Sequence, residues 1–384
     1  MRSRTHASEI RIRPSTHVRR VGERPASRRR ESAHVGHHVD RMESMPPGKK
    51  RALVTGAGGF IGHHLVSYLR RQGYWVRGAD LRHPEFRPTE ADEFVLADLR
   101  EPGVAEKVVE GVDEVYSLAA DMGGMGFISA NHATIMKNNS LIDLNTLEAA
   151  RKARVNRFFY ASSACVYPAY RQNITEVVGL REEDAYPAAP EDGYGWEKLN
   201  TEHLCSYYRE EYGLPVRVAR LHNVYGPYCT YDGGREKSPA ALARKAALAE
   251  PGGRMEIWGD GMQTRSYCYV DDCVEGIHRL TRSDFPGPVN LGTERLIAIN
   301  DLARMLLEIA GKPGVTLEHR PGPQGVRGRN SDNALLRAEL GWEPSTPLET
   351  GMAATYHWIR SDIERRAGTV QAASEIVRVG DPGA

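Results

Sequence analysis

The chain has 384 residues, 40% of them hydrophobic, enough for two modest domains or one large domain with an inserted lobe, each burying a sizeable core. Its net charge of +1 is unevenly spread: residues 1–50 hold 13 Lys and Arg against 5 acids, and the other 334 hold 38 against 45, so the body offers no global attraction for nucleic acid or an anionic membrane. There is no apolar core of signal-peptide length and no run of ~18 apolar residues, so neither secretion nor membrane spanning is indicated.

Residues 1–49 are rich in Arg, Ser, His and Pro with almost no aliphatic period, and a disordered basic extension is expected there. Such a segment suits a nucleic-acid arm, a transit peptide or a dispensable extension; the reading adopted is the last, with Met42 or Met45 as the functional start. Arg51 to Thr55 then reads as a short buried strand and Phe60 to Arg71 as an amphipathic helix, joined by Gly56-Ala57-Gly58-Gly59-Phe60-Ile61-Gly62. A glycine-rich turn between strand and helix brings backbone amides and a helix N-terminus up to a pyrophosphate. About twenty residues on, Val76 to Asp80 ends a second strand with a carboxylate suited to adenosine ribose hydroxyls, which favours NAD over NADP, while Arg82 weakens that preference slightly.

Further along, strands are expected over Asp113 to Ala119 and Arg157 to Ser162, with a helix through Asn145 to Arg154 between them. This alternation predicts an α/β fold: a Rossmann-type doubly wound parallel sheet over residues 50–225, with ligand beyond the carboxyl ends of the strands. From Gly226 onward glycine and proline are denser, so a smaller α+β substrate lobe is expected over 226–265 and 284–365. Residues 266–283 would return to the main sheet and 366–384 form a flexible tail.

Tyr194 and Lys198 stand four apart, on one helix face. A phenol with pKa about 10 is too weak a base at neutral pH, and a neighbouring ammonium lowers that value by stabilising the phenolate. Ser163, at a strand end, is placed to steady the substrate oxygen. The five cysteines are odd in number and form no Cys-x-x-Cys pair, as in a reducing cytoplasm, and the fourteen histidines show no ligand spacing, so no metal is expected.

At these motifs the chain resembles the extended short-chain dehydrogenase/reductases, the nucleotide-sugar epimerases and dehydratases. The resemblance spans about Arg51 to Ile363 and includes Asp98-Leu99, Leu118-Ala119-Ala120, Asn139 and Tyr269-Val270-Asp271-Asp272. Longer runs, Ala120 to Phe127, Ser162 to Cys165, His222 to Pro227, Gly233 to Lys237, Gln263 to Ser266 and Gly325 to Asn333, are most similar to the branch that acts on GDP-mannose.

The resemblance implies NAD held by Gly56, Gly59, Phe60, Ile61, Gly62, Asp80, Asp98, Leu99, Tyr194 and Lys198. It implies a nucleotide sugar held by Gly123, Ser163, Ala164, Cys165, Asn223, Glu236, Lys237, Ser238, Lys245, Gln263, Thr264, Arg265 and Arg327, with Arg329 nearby, although Arg329 followed by Asn330-Ser331-Asp332 equally fits a capped helix start. Dehydratases of the family carry an Asp-Glu pair where this chain has Ala164 and Cys165; a methyl group cannot protonate a leaving hydroxyl, so dehydration is disfavoured. Cys165 as base and Lys237 as acid, bracketed by C4 oxidation and re-reduction at Tyr194, would invert C3 and C5, the ammonium also lowering the thiol pKa. The rivals are a single-centre epimerase, another sugar, or an idle NAD-binding scaffold. A homodimer is the default implied by the family.

Overall fold

A computed structural model describes residues 48–379, with side chains through 368, so the expectation for residues 1–47 lies outside the described residues. The chain runs β1 (Arg51–Thr55), α1 (Phe60–Arg71), β2 (Trp75–Asp80), β3 (Glu93–Leu96), α2 (Val104–Val109), β4 (Glu114–Ser117), α3 (Met125–Ala130), α4 (His132–Ala153), β5 (Arg157–Ser163), α5 (Gly193–Tyr212) and β6 (Val216–Leu221). It continues with β7 (Val224–Tyr225), α6 (Ser238–Leu248), β8 (Arg254–Trp258), β9 (Thr264–Arg265), β10 (Cys268–Tyr269), α7 (Val270–Arg282), β11 (Val289–Leu291), β12 (Ile297–Ala298), α8 (Ile299–Ile309), β13 (Thr316–Arg320), β14 (Gly328–Arg329), α9 (Ala334–Leu340) and α10 (Leu348–Val379).

Seven strands pair in parallel in the order β11-β6-β5-β4-β1-β2-β3. Because strand side chains alternate, β1 sends Ala52 and Val54 into one core with α1 and α7, and Leu53 into the other with α2, α4 and α5. Near-continuous apolar strands of this kind need helices on both faces, and the sheet order reverses between β1 and β4. The end of β5 and the first turn of α5 meet at the carboxyl edge of the sheet, where the candidate site lies. A third core, built from α6, α8, α10 and β8, forms the smaller lobe.

Helix α1 covers the stretch its apolar period predicts, and α4 extends ten residues and more upstream of the predicted helix, starting at His132. Two boundaries differ from expectation. Segment 266–283 adds no strand to the main sheet: β10 pairs with β7, and the segment joins the main core through Cys268 and α7. The late strand that does join is β11, and Leu336 of α9 follows it into the same core, so part of 284–365 belongs with the sheet. Nor does an element end at 365, since α10 continues to Val379. From Gly48 the chain packs as one compact unit, so the lobes differ by core and not by a linker. Among the described residues no helix is long and apolar enough to cross a membrane, and no His, Cys, Asp and Glu cluster could hold a metal.

Two histidines are locked in this interior as neutral rings. His222 donates from Nε2 to Asn290 Oδ1 (2.9 Å), an oxygen that also accepts from Tyr167 Oη (2.6 Å), while its Nδ1 has no partner. Burial drives its pKa down to about 3, and burial with the Arg87 guanidinium drives His63 to about 4. An unfolded chain would protonate both near pH 6.5, so their contribution to stability is complete above that pH and falls as pH drops toward 4 and 3, by up to ~1.4 kcal/mol per pH unit for each ring. Urea midpoints for the wild type should decline below about pH 6.5, and His222→Gln should flatten that decline; an equal slope in the variant would acquit the ring.

Candidate active site

The glycine turn is built by close approach. Gly56 has φ +72°, and a Cβ there would lie 2.9 Å from the Ala119 amide nitrogen; one on Gly62 would lie 2.1 Å from Gly56 O. Helix α1 starts at Gly59 with no capping side chain and no acid in its first turn, which leaves its N-terminus free for an anion. Asp80 Oδ2 accepts from the Gly58 amide (2.9 Å), fastening the end of β2 to the turn. These features fit a dinucleotide: the backbone can approach a pyrophosphate, and a carboxylate stands where a ribose would lie. Phe60 and Ile61 pack partly buried on the main core, and Arg82 and Arg87 line a cavity with Gly58, Gly59, Phe60 and His63. Arg87, missed by the motif reading because it lies in an irregular loop, donates to His63 Nε2.

Asp98 is occupied by Arg100, which donates from Nε (2.8 Å) and Nη2 (2.6 Å), and these bonds hold its carboxyl below the usual range. The Leu99 side chain is buried in the core rather than turned toward a ligand, and its carbonyl accepts from Asn145.

At the end of β5 the chain enters a 3-10 turn over Ala164–Val166, started by the Ser163 hydroxyl accepting from the Cys165 amide (3.2 Å). Helix α5 seats against that turn through Gly195, where an added Cβ would stand 2.2 Å from Cys165 O. The adjacent Tyr194 is thereby held over Cys165 and Ser163, and packs with Ile128 and Ile135. Lys198, buried one turn on, donates to Tyr160 Oη (3.0 Å) and lies 3.5 Å from Asp143 and 3.9 Å from Glu197. The net effect on Tyr194 differs from the expectation: burial raises its pKa, although Lys198 and a hydrogen bond with Ser163 act to lower it. A phenol surrounded by protein loses more hydration of its anion than one ammonium restores.

Lys237 precedes α6, and its loop is clamped to the glycine run that follows β4. The Gly124 amide donates to Arg235 O (3.1 Å), a Cβ on Gly124 would meet Glu236 O at 2.4 Å, and Arg235 reaches Asp121 (3.2 Å) across the Phe127 ring. Gly123 lies against Phe127, and Glu236 accepts from the Gly234 amide (2.7 Å). Lys237 faces the open cleft yet is surrounded by protein; desolvation pulls its pKa down, and the nearby Cys165 opposes that shift. Ser238 hydrogen-bonds Tyr267 Oη (3.0 Å).

Arg329 is not a helix start. It ends β14, before α9 begins at Ala334, and it donates from Nη1 to Cys165 Sγ (3.4 Å) and from Nε to Gln172 Oε1 (2.6 Å). Gln172, which no motif marks, ties the turn after Cys165 to this strand, its carbonyl accepting from the Arg327 and Gly328 amides. Arg265 is close enough to Arg329 and Cys165 for their charges to act on it, and burial lowers its pKa to about 10. Asn223 donates to Ser266 O (2.9 Å), Gln263 is buried with Oε1 unpartnered, and Thr264 donates to Thr175 O. Lys245 and Arg327 make their contacts within the lobe, Lys245 to Glu256 O (2.9 Å) and Arg327 to both oxygens of Asp260 (2.8 and 2.7 Å).

The structure thus brings Ser163, Cys165, Tyr194, Lys198 and Lys237 to one sheet edge, with arginines above them. A phenol beside an ammonium, a thiol, and a second amine with depressed pKa make a set of titratable groups of the kind that moves protons at a bound molecule.

Residues 52–292 match the model of the "NAD dependent epimerase/dehydratase family". GDP-mannose 3,5-epimerase of Arabidopsis thaliana is 48% identical over 335 residues, 87% of this chain and 88% of the relative. UDP-glucose 4-epimerase from Thermotoga maritima, solved with UDP-glucose, superposes with a TM-score of 0.74 at 29% identity, covering 82% of this chain and 99% of that one. UDP-glucose 4-epimerase of Thermus thermophilus, solved with NAD, gives 0.71 at 27% identity, covering 81% and 99%. With a family match over more than half its length, on the dinucleotide fold and edge just described, the chain belongs to the NAD-dependent epimerase/dehydratase family.

Proposed function

We propose that the protein inverts C3 and C5 of GDP-mannose through a transient 4-keto sugar, giving GDP-L-galactose, and GDP-L-gulose when C5 alone is inverted. The observation that carries this reading is the strand end Ser163-Ala164-Cys165: it presents a thiol and no carboxylic acid beneath Lys237, beside Tyr194. The 48% identity to a GDP-mannose 3,5-epimerase supports the choice of sugar and base.

When bound at Gly56 to Gly62 and Asp80, NAD supplies the two-electron acceptor and donor at C4. Tyr194 takes the C4 hydroxyl proton, with Lys198 supporting the phenolate and Ser163 steadying the oxygen. A ketone at C4 makes the C3 and C5 hydrogens acidic, because the carbanion formed at either carbon is an enolate. Cys165 removes a proton from one ring face and Lys237 delivers one from the other; the depressed pKa of Lys237 suits an amine that gives its proton up near neutral pH. Returning the proton from Tyr194 to the C4 oxygen completes re-reduction. Arg265 and Arg329 offer planar cations for the diphosphate, whereas the Arg327 fork is taken by Asp260.

A homodimer belongs to the same reading, supported by Met136 and Leu144 of α4 and Trp196 and Tyr207 of α5, all exposed on the packed helix pair. So does a reducing compartment such as the cytoplasm, supported by five unpaired cysteines.

GDP-mannose incubated with the protein and NAD in heavy water should gain deuterium at C3 and C5, keep its original hydrogen at C4, and build up no NADH, as followed by NMR. Exchange at C5 alone would mark a single-centre epimerase, and loss of the C6 hydroxyl a dehydratase. Cys165→Ala should cut the exchange by roughly 10²–10⁴-fold, the usual worth of a positioned acid or base; undiminished exchange would refute the thiol's role. Tyr194→Phe should keep NAD while turnover falls by a similar factor, and substantial residual turnover would reassign the C4 base.

A further inference from the structure

The most deeply buried charged cluster around the cleft lies behind it, under Lys198. Asp143 and Glu197 are both buried, at 3% and 1% exposure, and among the described residues the cation paired with them is Lys198. Tyr160 joins the three: its hydroxyl accepts from Lys198 (3.0 Å), donates to Asp143 Oδ2 (2.9 Å) and stands 3.5 Å from Glu197 Oε1. Thr201 donates to the same Glu197 oxygen (3.2 Å). One oxygen of each acid has no hydrogen-bond partner, Asp143 Oδ1 and Glu197 Oε2, both buried, the latter facing the Lys198 ammonium at 3.9 Å. The two carboxyls are neighbours, both set against the same Lys198 ammonium and the same Tyr160 hydroxyl.

Two carboxylates against one ammonium at so buried a site would leave an unbalanced charge, which is expensive. A proton shared by the two carboxyls removes that charge, as neighbouring like charges require. We propose that Asp143 and Glu197 share one proton and jointly supply the single negative charge that keeps Lys198 an ammonium beneath Tyr194. The directions of titration agree. Burial raises the Glu197 carboxyl and Asp143 pushes it the same way, whereas the two acids outweigh burial and hold Lys198 above its usual range. The other groups facing the cluster supply no second cation: Asn139 of α4 is an amide, Tyr160 of β5 and Cys205 of α5 are neutral and raised by burial, and Glu202 is already paired with Arg220 (2.7 Å).

Both acids are positioning residues acting through Lys198, and the inference rests on the assignment of Tyr194 and Lys198 in the proposed function. Its signature is non-additivity. Asp143→Asn or Glu197→Gln alone leaves one carboxylate, so each should lower the exchange rate by about tenfold or less. The double variant leaves Lys198 without a counter-charge; burial then lowers the ammonium pKa, the alkaline limb of the rate profile moves to lower pH, and the rate falls by about a hundredfold or more beyond either single change. Single variants as impaired as the double, or a double variant with an unmoved alkaline limb, would overturn the proposal.

A second measurement is independent of turnover and of the sugar. In deuterated buffer at neutral pH, the infrared difference between the NAD-loaded wild type and each single-amide variant should show one undissociated carboxylic acid carbonyl in the wild type. Its absence would overturn the shared proton even if epimerisation is confirmed, and its presence would uphold the shared proton even if another sugar proves to be the substrate. Should the double variant not fold, this difference decides.

Discussion

A lysine ammonium with 2% exposure has to be neutralised by protein, and the catalytic edge of this fold is arranged around that requirement. Lys198 is held between α4, which brings Asp143, and its own helix α5, which brings Glu197, with Tyr160 of β5 between them. The contact that satisfies the lysine therefore also fixes how α4 and α5 pack on the sheet. Tyr194 rides on the same helix, one turn nearer the edge, so the phenol is positioned by the neutralisation of its neighbour.

Around that anchor, the reacting segments are brought together by the absence of side chains. Gly195 lets α5 rest on the Cys165 carbonyl, and Gly124 lets the loop after β4 rest on Glu236, next to Lys237. Each contact joins segments distant in sequence at separations where any Cβ would collide. Arg329 and Gln172 complete the enclosure from the lobe side, so the thiol is met by a guanidinium belonging to a strand more than 160 residues away. The site is thus assembled from the sheet edge and the smaller lobe, which share one compact unit.

Positive charge gathers near Cys165: Lys237, Arg265 and Arg329 are close enough for their charges to act on one another or on the thiol. Negative charge is kept behind, in the acid pair under Lys198. The two signs are thus separated from front to back across the sheet edge.

Local patterns in the chain determined a good deal. The glycine turn, the twofold alternation of β1 and the apolar period of α1 are short-range properties, since backbone sterics and side-chain periodicity act over a few residues. The Tyr194 and Lys198 pair was legible for the same reason, being one helical turn apart. What local pattern could not convey was decided by tertiary packing. Whether 266–283 adds a strand depended on which partner offered free backbone groups, and β11 took that place. The run from Arg329 to Asp332 fits a helix start locally, and only packing puts Arg329 in a strand, met by Gln172 and Cys165. Tyr194 was expected to be acidified by its lysine, but the hydration it loses depends on everything that surrounds it, and burial prevails. Asp143, Glu197 and Tyr160 carry no motif, because their significance lies in a charge balance among α4, α5 and β5 that exists only once those elements are packed.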